Sequence, residues 1–188
     1  MKLICAEYNS DDRMSPQVIG DNALLRNNND FYYPDFTHEL SCVPQVVLRA
    51  CKLGKGVSER FASRYYDQIG VGVRFYADSL RKELFINGLG TGLASAFDDS
   101  AALSNLQPYR GEDLTYSLRL NETTVFENRI SALPVGIHAF ISRASYYFMI
   151  KVGDLFFCGN PFCYSKLKVG DRIRAYLAER CLLDFFIR

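Results

Sequence analysis

RYYDQIGVGVRF, residues 64–75, is the stretch in which the hydrophobic pattern changes period. Ahead of it, Ser58 stands where a helix N-cap would, and Phe61, Tyr65 and Ile69 recur at helical spacing. Within it, Val71–Tyr76 turns β-branched and aromatic and reads as a strand. Beyond it, Ala77–Phe85 reads as a short helix with Asp78 in its first turn, where a carboxylate suits the helix dipole. On the N-terminal side, Val46–Leu53 is a β-branched and aliphatic run closed by Gly54, the pattern of a buried strand.

The same reading extends outward. Lys2–Tyr8 alternates weakly and predicts a first strand, and the polar stretch Asn9–Pro16 predicts a loop. Ala23–Leu25 and Asp30–Tyr33 flank Asn27-Asn28-Asn29, residues that tolerate left-handed backbone, so a hairpin is expected there. A second hairpin is expected from Leu114–Leu120 and Thr123–Ile130 around Asn121-Glu122. Val135–Ile150 carries Ile137, Phe140, Ile141, Ala144, Tyr147 and Phe148 as a helical stripe. Gly153-Asp154 turns into the strand Leu155–Cys158, and Arg172–Leu177 with Leu182–Ile187 predicts a closing hairpin. Many short strands with two or three helices, without repeats or a linker, make the fold class α+β and the chain a single domain over residues 1–188.

Composition narrows the functions. Half the chain is apolar enough to form a core (48% hydrophobic), so it does not read as disordered. Lys and Arg number 22 against 21 Asp and Glu, and they are interspersed, which leaves no electrostatic case for nucleic acid or an anionic membrane. No apolar run approaches the roughly 20 residues that span a bilayer, and no secretory signal is visible at MKLICAEYNSDDR. The six cysteines show no CxxC and read as reduced thiols, so a cytosolic location is expected. Asn121-Glu122-Thr123 is formally a glycosylation sequon but reads as a turn.

Five segments carry a resemblance: PDF at Pro34–Phe36, QVVLRACKLGK at Gln45–Lys55, RYYDQIGVGVRF at Arg64–Phe75, AFDDSA at Ala96–Ala101 and VGDLFFCGNP at Val152–Pro161. From about Phe31 to Asp184 the chain resembles a fumarylacetoacetate hydrolase family domain. The resemblance implies β-rich, multilayered mixed sheets with a few short helices, and commonly a dimer. In active members it implies a Mg2+ or Mn2+ ion held by three carboxylates, which chelates an α-keto or β-diketo acid for hydrolysis, isomerisation or decarboxylation. Carried over without a gap from PDF, those three carboxylate positions fall on Val43, Gln45 and Arg74. The first of these cannot ligate, the second offers one neutral oxygen, and the third is a permanent cation. A unit charge at about 4 Å repels another by about 4 kcal/mol at an effective dielectric of 20, and a dication by twice that.

Other positions differ in the same direction. The family's Arg-Asp-x-Gln segment reads Asp78-Ser79-Leu80-Arg81, its lysine before Phe-Asp falls on Ser95, and Asp98 is kept but followed by Asp99. Its Thr-Gly-Thr-Pro turn reads Cys158-Gly159-Asn160-Pro161, and the glycine-rich segment after it reads Phe162-Cys163-Tyr164. The segment before Ala23-Leu24-Leu25 is reduced to Gly20-Asp21-Asn22, so residues 1–22 read as shortened. Neither histidine, His38 nor His138, matches the water-activating pair of hydrolytic members. The expectation is therefore a homologue with no metal, no cofactor and no catalytic residue, acting as a binding or structural protein. A ligand site in the old cavity would draw on Arg74, Arg81, Asp98 and Asn160.

Several alternatives stand beside this. Arg74 could hold an anion with Arg81, or form an ion pair with Asp78 or Asp98 that fills the emptied site. Asp98-Asp99 with Glu39 and Asp78 could relocate a metal, although adjacent aspartates more often make a solvated face. Gly88-Leu89-Gly90-Thr91-Gly92 hints at a phosphate loop but lacks the full spacing and reads as a flexible loop. Cys158 and Cys163 flank the old substrate turn and read as inert, because no group is evident that would lower a thiol pKa. Tyr65-Tyr66 and Tyr146-Tyr147-Phe148 read as helical residues serving the core or a homodimer contact. The competing function is a keto-acid hydrolase, decarboxylase or isomerase with a rearranged or metal-free site. A third is a subunit that pairs with an active paralogue.

Overall fold

The computed structural model of the protein describes residues 1–9 and 13–188. Its spine is one antiparallel pair, β4 (Leu40–Ala50) and β5 (Tyr66–Ala77), with Leu40 opposite Ala77 at one end and Ala50 opposite Tyr66 at the other. Of β4 only Arg49 is exposed, so the strand is covered on both faces and its sequence is a nearly unbroken apolar run.

Around this pair, β1 (Lys2–Tyr8), β2 (Met14–Gly20), β3 (Leu24–Leu25), β6 (Ala101–Leu103) and β10 (Leu155–Cys158) complete a mixed sheet in the order β2-β1-β10-β4-β5-β6-β3. The short β7 (Gln107–Pro108) adds to β5, and β11 (Tyr164–Ser165) adds to β4. A second, antiparallel sheet runs β13-β12-β8-β9, from β8 (Thr115–Leu120), β9 (Thr123–Arg129), β12 (Arg172–Leu177) and β13 (Arg180–Phe186). Among the described residues two α-helices accompany them, α1 (Asp78–Ile86) directly after β5 and α2 (Ile137–Tyr147) before β10.

Alternation along the strands sorts residues onto two faces. Val46, Leu48, Phe75 and Phe156 belong to the larger core, together with Ile173 and Phe185 of the second sheet and Phe140 and Ile141 of α2. Leu3, Cys5, Val47, Ala101 and Phe157 form a smaller core on the opposite face. Pro44 sits inside β4 where proline is normally excluded. On the edge away from β5, β10 pairs Val46 to Arg49 and β11 pairs Ser41 and Cys42, so residues 43–45 have no strand partner there. The chain from Gly159 to Cys163 loops past that gap.

The α+β class stands, and so do the strands at Lys2–Tyr8 and Leu155–Cys158, the helix after β5 and the hairpin around Asn121, whose φ is 54°. Other expectations are corrected. Ser58 makes no side-chain cap; Glu59–Arg64 is a 3-10 turn, and Tyr66 and Ile69 already lie in β5. The helical spacing of Phe61, Tyr65 and Ile69 misled because it runs from the 3-10 turn into β5, which is largely buried on both faces and shows no alternation. Asn27 and Asn28 do turn with positive φ, but no hairpin results. Leu24 pairs with Ala101, while Phe31 bridges to Ile187. The expected loop at Asn9–Pro16 ends early, because Met14–Pro16 belong to β2, an edge strand that tolerates Pro16; its residues 10–12 lie outside the described ones. Tyr147 ends α2 largely exposed, so the apolar stripe covers only Ile137 to Ala144 and Ser145.

Candidate ligand site on the β4–β5 face

Ser41, Val43 and Gln45 share one face of β4, and the register places Tyr76, Arg74 and Gly72 opposite them on β5. Val43 and Arg74 are direct cross-strand partners. The three positions that the resemblance assigns to metal ligands are therefore neighbours in space. β1 approaches the same face, since Cys5 pairs with Phe157 and Glu7 follows two residues on.

Arg74 is 0% exposed, the largest fully buried side chain. Its Nη1 donates to Glu7 Oε1 at 3.0 Å, its Nη2 donates to the Ser95 carbonyl at 2.8 Å, and its guanidinium lies 5.3 Å from the Tyr76 ring centre. Glu7 Oε2 accepts from the Tyr76 hydroxyl at 2.9 Å. This overturns the expected partners: Arg74 pairs with Glu7, whereas Asp78 holds Arg81 at 2.7 Å. Burial opposes the charge on Arg74, the Glu7 carboxylate supports it, and its pKa is raised. Burial pushes the Cys5 thiol up to about 12 against the pull of Arg74, and raises Tyr76 for the same reason. The cluster thus holds one internal ion pair beside a neutral thiol and a neutral phenol.

The loop that passes the Pro44 gap closes the site. At Gly159 a Cβ would come within 2.7 Å of Gln45 Nε2, so only glycine lets the turn lie against the strand. Tyr8 donates to the Gly159 carbonyl at 3.1 Å. Asn160 donates to the Tyr116 hydroxyl at 2.9 Å and accepts from Phe162 N–H at 2.7 Å, which fixes its amide.

Between these groups lies a cavity of about 270 Å3 whose wall includes Glu7, Tyr8, Val43, Tyr76, Arg81 and Asn160. Glu7, Tyr76 and Arg81 also border a neighbouring cavity of about 560 Å3, with Gln17 and Ser95. Of the residues singled out from sequence, Arg81 and Asn160 meet at the first cavity. Arg74 lies behind its wall. Asp98 is elsewhere, exposed on a turn where it accepts from Asn22 at 2.7 Å. Glu7 and Tyr76 escaped sequence reading, Glu7 because its partner is 67 residues away.

Among the described residues, no group of three or more His, Cys, Asp or Glu is gathered as metal ligands would be. Gln45 Nε2 donates to the Ala6 carbonyl at 3.3 Å and its Oε1 has no partner. Among the described residues, four buried side-chain polar atoms lack a hydrogen bond, and three of them, Ser41 Oγ, Gln45 Oε1 and Arg74 Nε, belong to this face. All six cysteines are free, with Cys158 buried.

The sequence profile described as fumarylacetoacetate (FAA) hydrolase C-terminal matches residues 80–182. The chain belongs to that family. Solved structures share its fold. Fumarylpyruvate hydrolase from Pseudomonas aeruginosa, solved in complex with Mn2+ and pyruvate, is similar at a TM-score of 0.88 and 16% identity, covering 100% of this chain and 90% of that one. A fumarylacetoacetate hydrolase family protein from Yersinia pestis gives 0.87 and 21%, covering 100% and 92%. The 5-carboxymethyl-2-hydroxymuconate delta-isomerase from Mycobacterium smegmatis gives 0.84 and 15%, covering 99% and 76%. No curated protein matches the chain. Within the described residues no helix is long and apolar enough to cross a membrane.

Proposed function

We propose that this fumarylacetoacetate hydrolase family chain is a non-catalytic binding or structural protein in which an internal ion pair stands where active members hold a divalent metal. The observation that carries this reading is the fully buried Arg74 guanidinium, bound by Glu7 and the Ser95 carbonyl at a position where the family resemblance expects a carboxylate. Hard divalent ions take several anionic or carbonyl oxygens in tight geometry. Val43 supplies none, Gln45 supplies one neutral oxygen and Arg74 repels a cation, so these residues do not fit Mg2+ or Mn2+. A ligand of the remaining cavity would meet Arg81, Asn160, Tyr8 and Tyr76, with Arg74 acting only through Glu7. The exposed apolar side chains Phe85, Ile86, Leu89 and Leu93 offer the surface for pairing with a second copy or an active paralogue.

The test is a thermal-shift titration with MgCl2 and MnCl2, with and without oxalate, because a ligand of the folded state raises Tm by mass action. No shift at millimolar metal is expected. A shift that oxalate enhances would overturn the reading. The metal-free enzyme is the second reading, and it rests on Glu7, a carboxylate 22% exposed at the cavity wall. Turnover of oxaloacetate or an acylpyruvate that disappears in Glu7→Gln would put it first.

A further inference from the structure

On the other side of Arg81 and Cys163 lies a separate and larger cavity of about 600 Å3. It is walled by the approach to β4, by the start of α1 and by the strap from Cys163 to Lys168. The metal positions Val43, Gln45 and Arg74 take no part in it.

Its charges do not cancel. Glu39 and Asp78 are its two carboxylates, and each is already engaged, by Lys82 and Arg81 respectively. Lys166 and Lys168 also line it; among the described residues neither ammonium is in an ion pair, while the Lys168 N–H donates to Asp171 Oδ2 at 2.9 Å. Lys166 is held at φ 69°, a left-handed conformation uncommon for a residue with a Cβ. Ser41 forms part of the inner wall, 1% exposed, with its hydroxyl unpartnered. An orphaned buried hydroxyl costs free energy unless something fills the role. Leu40 and Leu167, almost wholly buried, back the wall beside it.

We propose that this cavity binds a small organic phosphate ester. The phosphate would neutralise Lys166 and Lys168, its oxygens would accept from them and from the Ser41 hydroxyl, and the organic part would occupy the rest of the cavity. Two unpaired ammonium groups call for a dianion, and lysine binds phosphate as a point charge. A carboxylate would satisfy only one of them. The proposal goes beyond the reading of the metal positions and does not depend on it.

Isothermal titration calorimetry of the whole chain in a phosphate-free buffer tests this with phenyl phosphate, inorganic phosphate and benzoate. Phenyl phosphate is expected to bind at submillimolar concentration, with inorganic phosphate weaker for want of the apolar contact and benzoate weaker for want of charge. Lys166→Glu and Lys168→Glu should each weaken phenyl phosphate by about tenfold or more, as charge reversal at a contact does. Lys55→Glu, at an exposed lysine outside the cavity, should leave it unchanged. Ser41→Ala should weaken it severalfold without loss of Tm. Absence of binding at millimolar phenyl phosphate would overturn the proposal. So would equal binding of all three probes, or affinity that both lysine reversals leave intact.

Discussion

Glu7 and Arg74, on strands that are not neighbours in the sheet, meet at 3.0 Å, with the arginine wholly buried and the glutamate at a cavity wall. Removing one partner of such a pair strands a buried charge, whereas replacing both with apolar groups is often neutral. Glu7→Gln should therefore destabilise the chain by about 3 kcal/mol. Arg74→Met should cost less, and the double variant should recover much of the loss. Urea midpoints of the four proteins measure the coupling, and additive single effects would show that the pair is not a unit.

Reversal of charge at the same position makes a sharper prediction. Arg74→Asp brings a carboxylate close to Glu7 and to the free oxygen of Gln45. Two like charges there destabilise the fold, and a divalent ion with oxygen ligands relieves them. The variant should melt well below the parent and regain stability with millimolar Mn2+, which the parent should ignore. A variant that melts low and stays low with Mn2+ would show that this face cannot be converted.

Gly159 predicts a steric coupling. A methyl group there would sit 2.7 Å from Nε2 and 2.8 Å from Cγ of the buried Gln45. Overpacking of this kind costs about 1–3 kcal/mol. Gly159→Ala should lower the Tm, and Gln45→Ala in the same chain should restore part of it. If the second change adds to the first, the contact is not the cause.

The buried thiols set an alkaline limit. Burial raises Cys5, Cys42 and Cys158 above the value of 9.0 they would have when exposed. An acid whose folded pKa is raised keeps its proton in the native state after the unfolded chain has lost it. Its stabilising effect is whole below the unfolded pKa and is lost as pH rises past it, by about 1.4 kcal/mol per pH unit for each thiol. Unfolding free energy measured from pH 8 to 10 should fall, with a smaller slope in Cys158→Ala. An unchanged slope would assign the loss to other groups.

How much of this was readable beforehand follows from the range of each interaction. The hairpin around Asn121 is local: alternating strands meet at a residue that accepts positive φ, and the side chain then secures Arg172 N–H at 3.0 Å. The turn at Asn27–Asn28 was equally visible, but the destinations of its flanks, Ala101 and Ile187, were not, because pairing partners lie far away in sequence. The Val43–Arg74 juxtaposition was accessible only through family resemblance. Glu7 was beyond reach because β1 enters the sheet beside β10, a neighbour about 150 residues downstream. β5 was divided between helix and strand because burial on both faces erases the period that distinguishes them.

That β1–β10 pairing also dictates an order of events. Leu3 cannot find Leu155, nor Phe31 its bridge to Ile187, until those later residues have emerged from the ribosome. Loop closure over such separations is slow, and strand edges stay open meanwhile. The strand carrying Glu7 can take its place beside β10 only after Leu155 has been made, and until then that pairing cannot hold the carboxylate against Arg74. Completion of this face thus waits on a distant part of the chain, and strand edges left open before that pairing are the ones most exposed to aggregation.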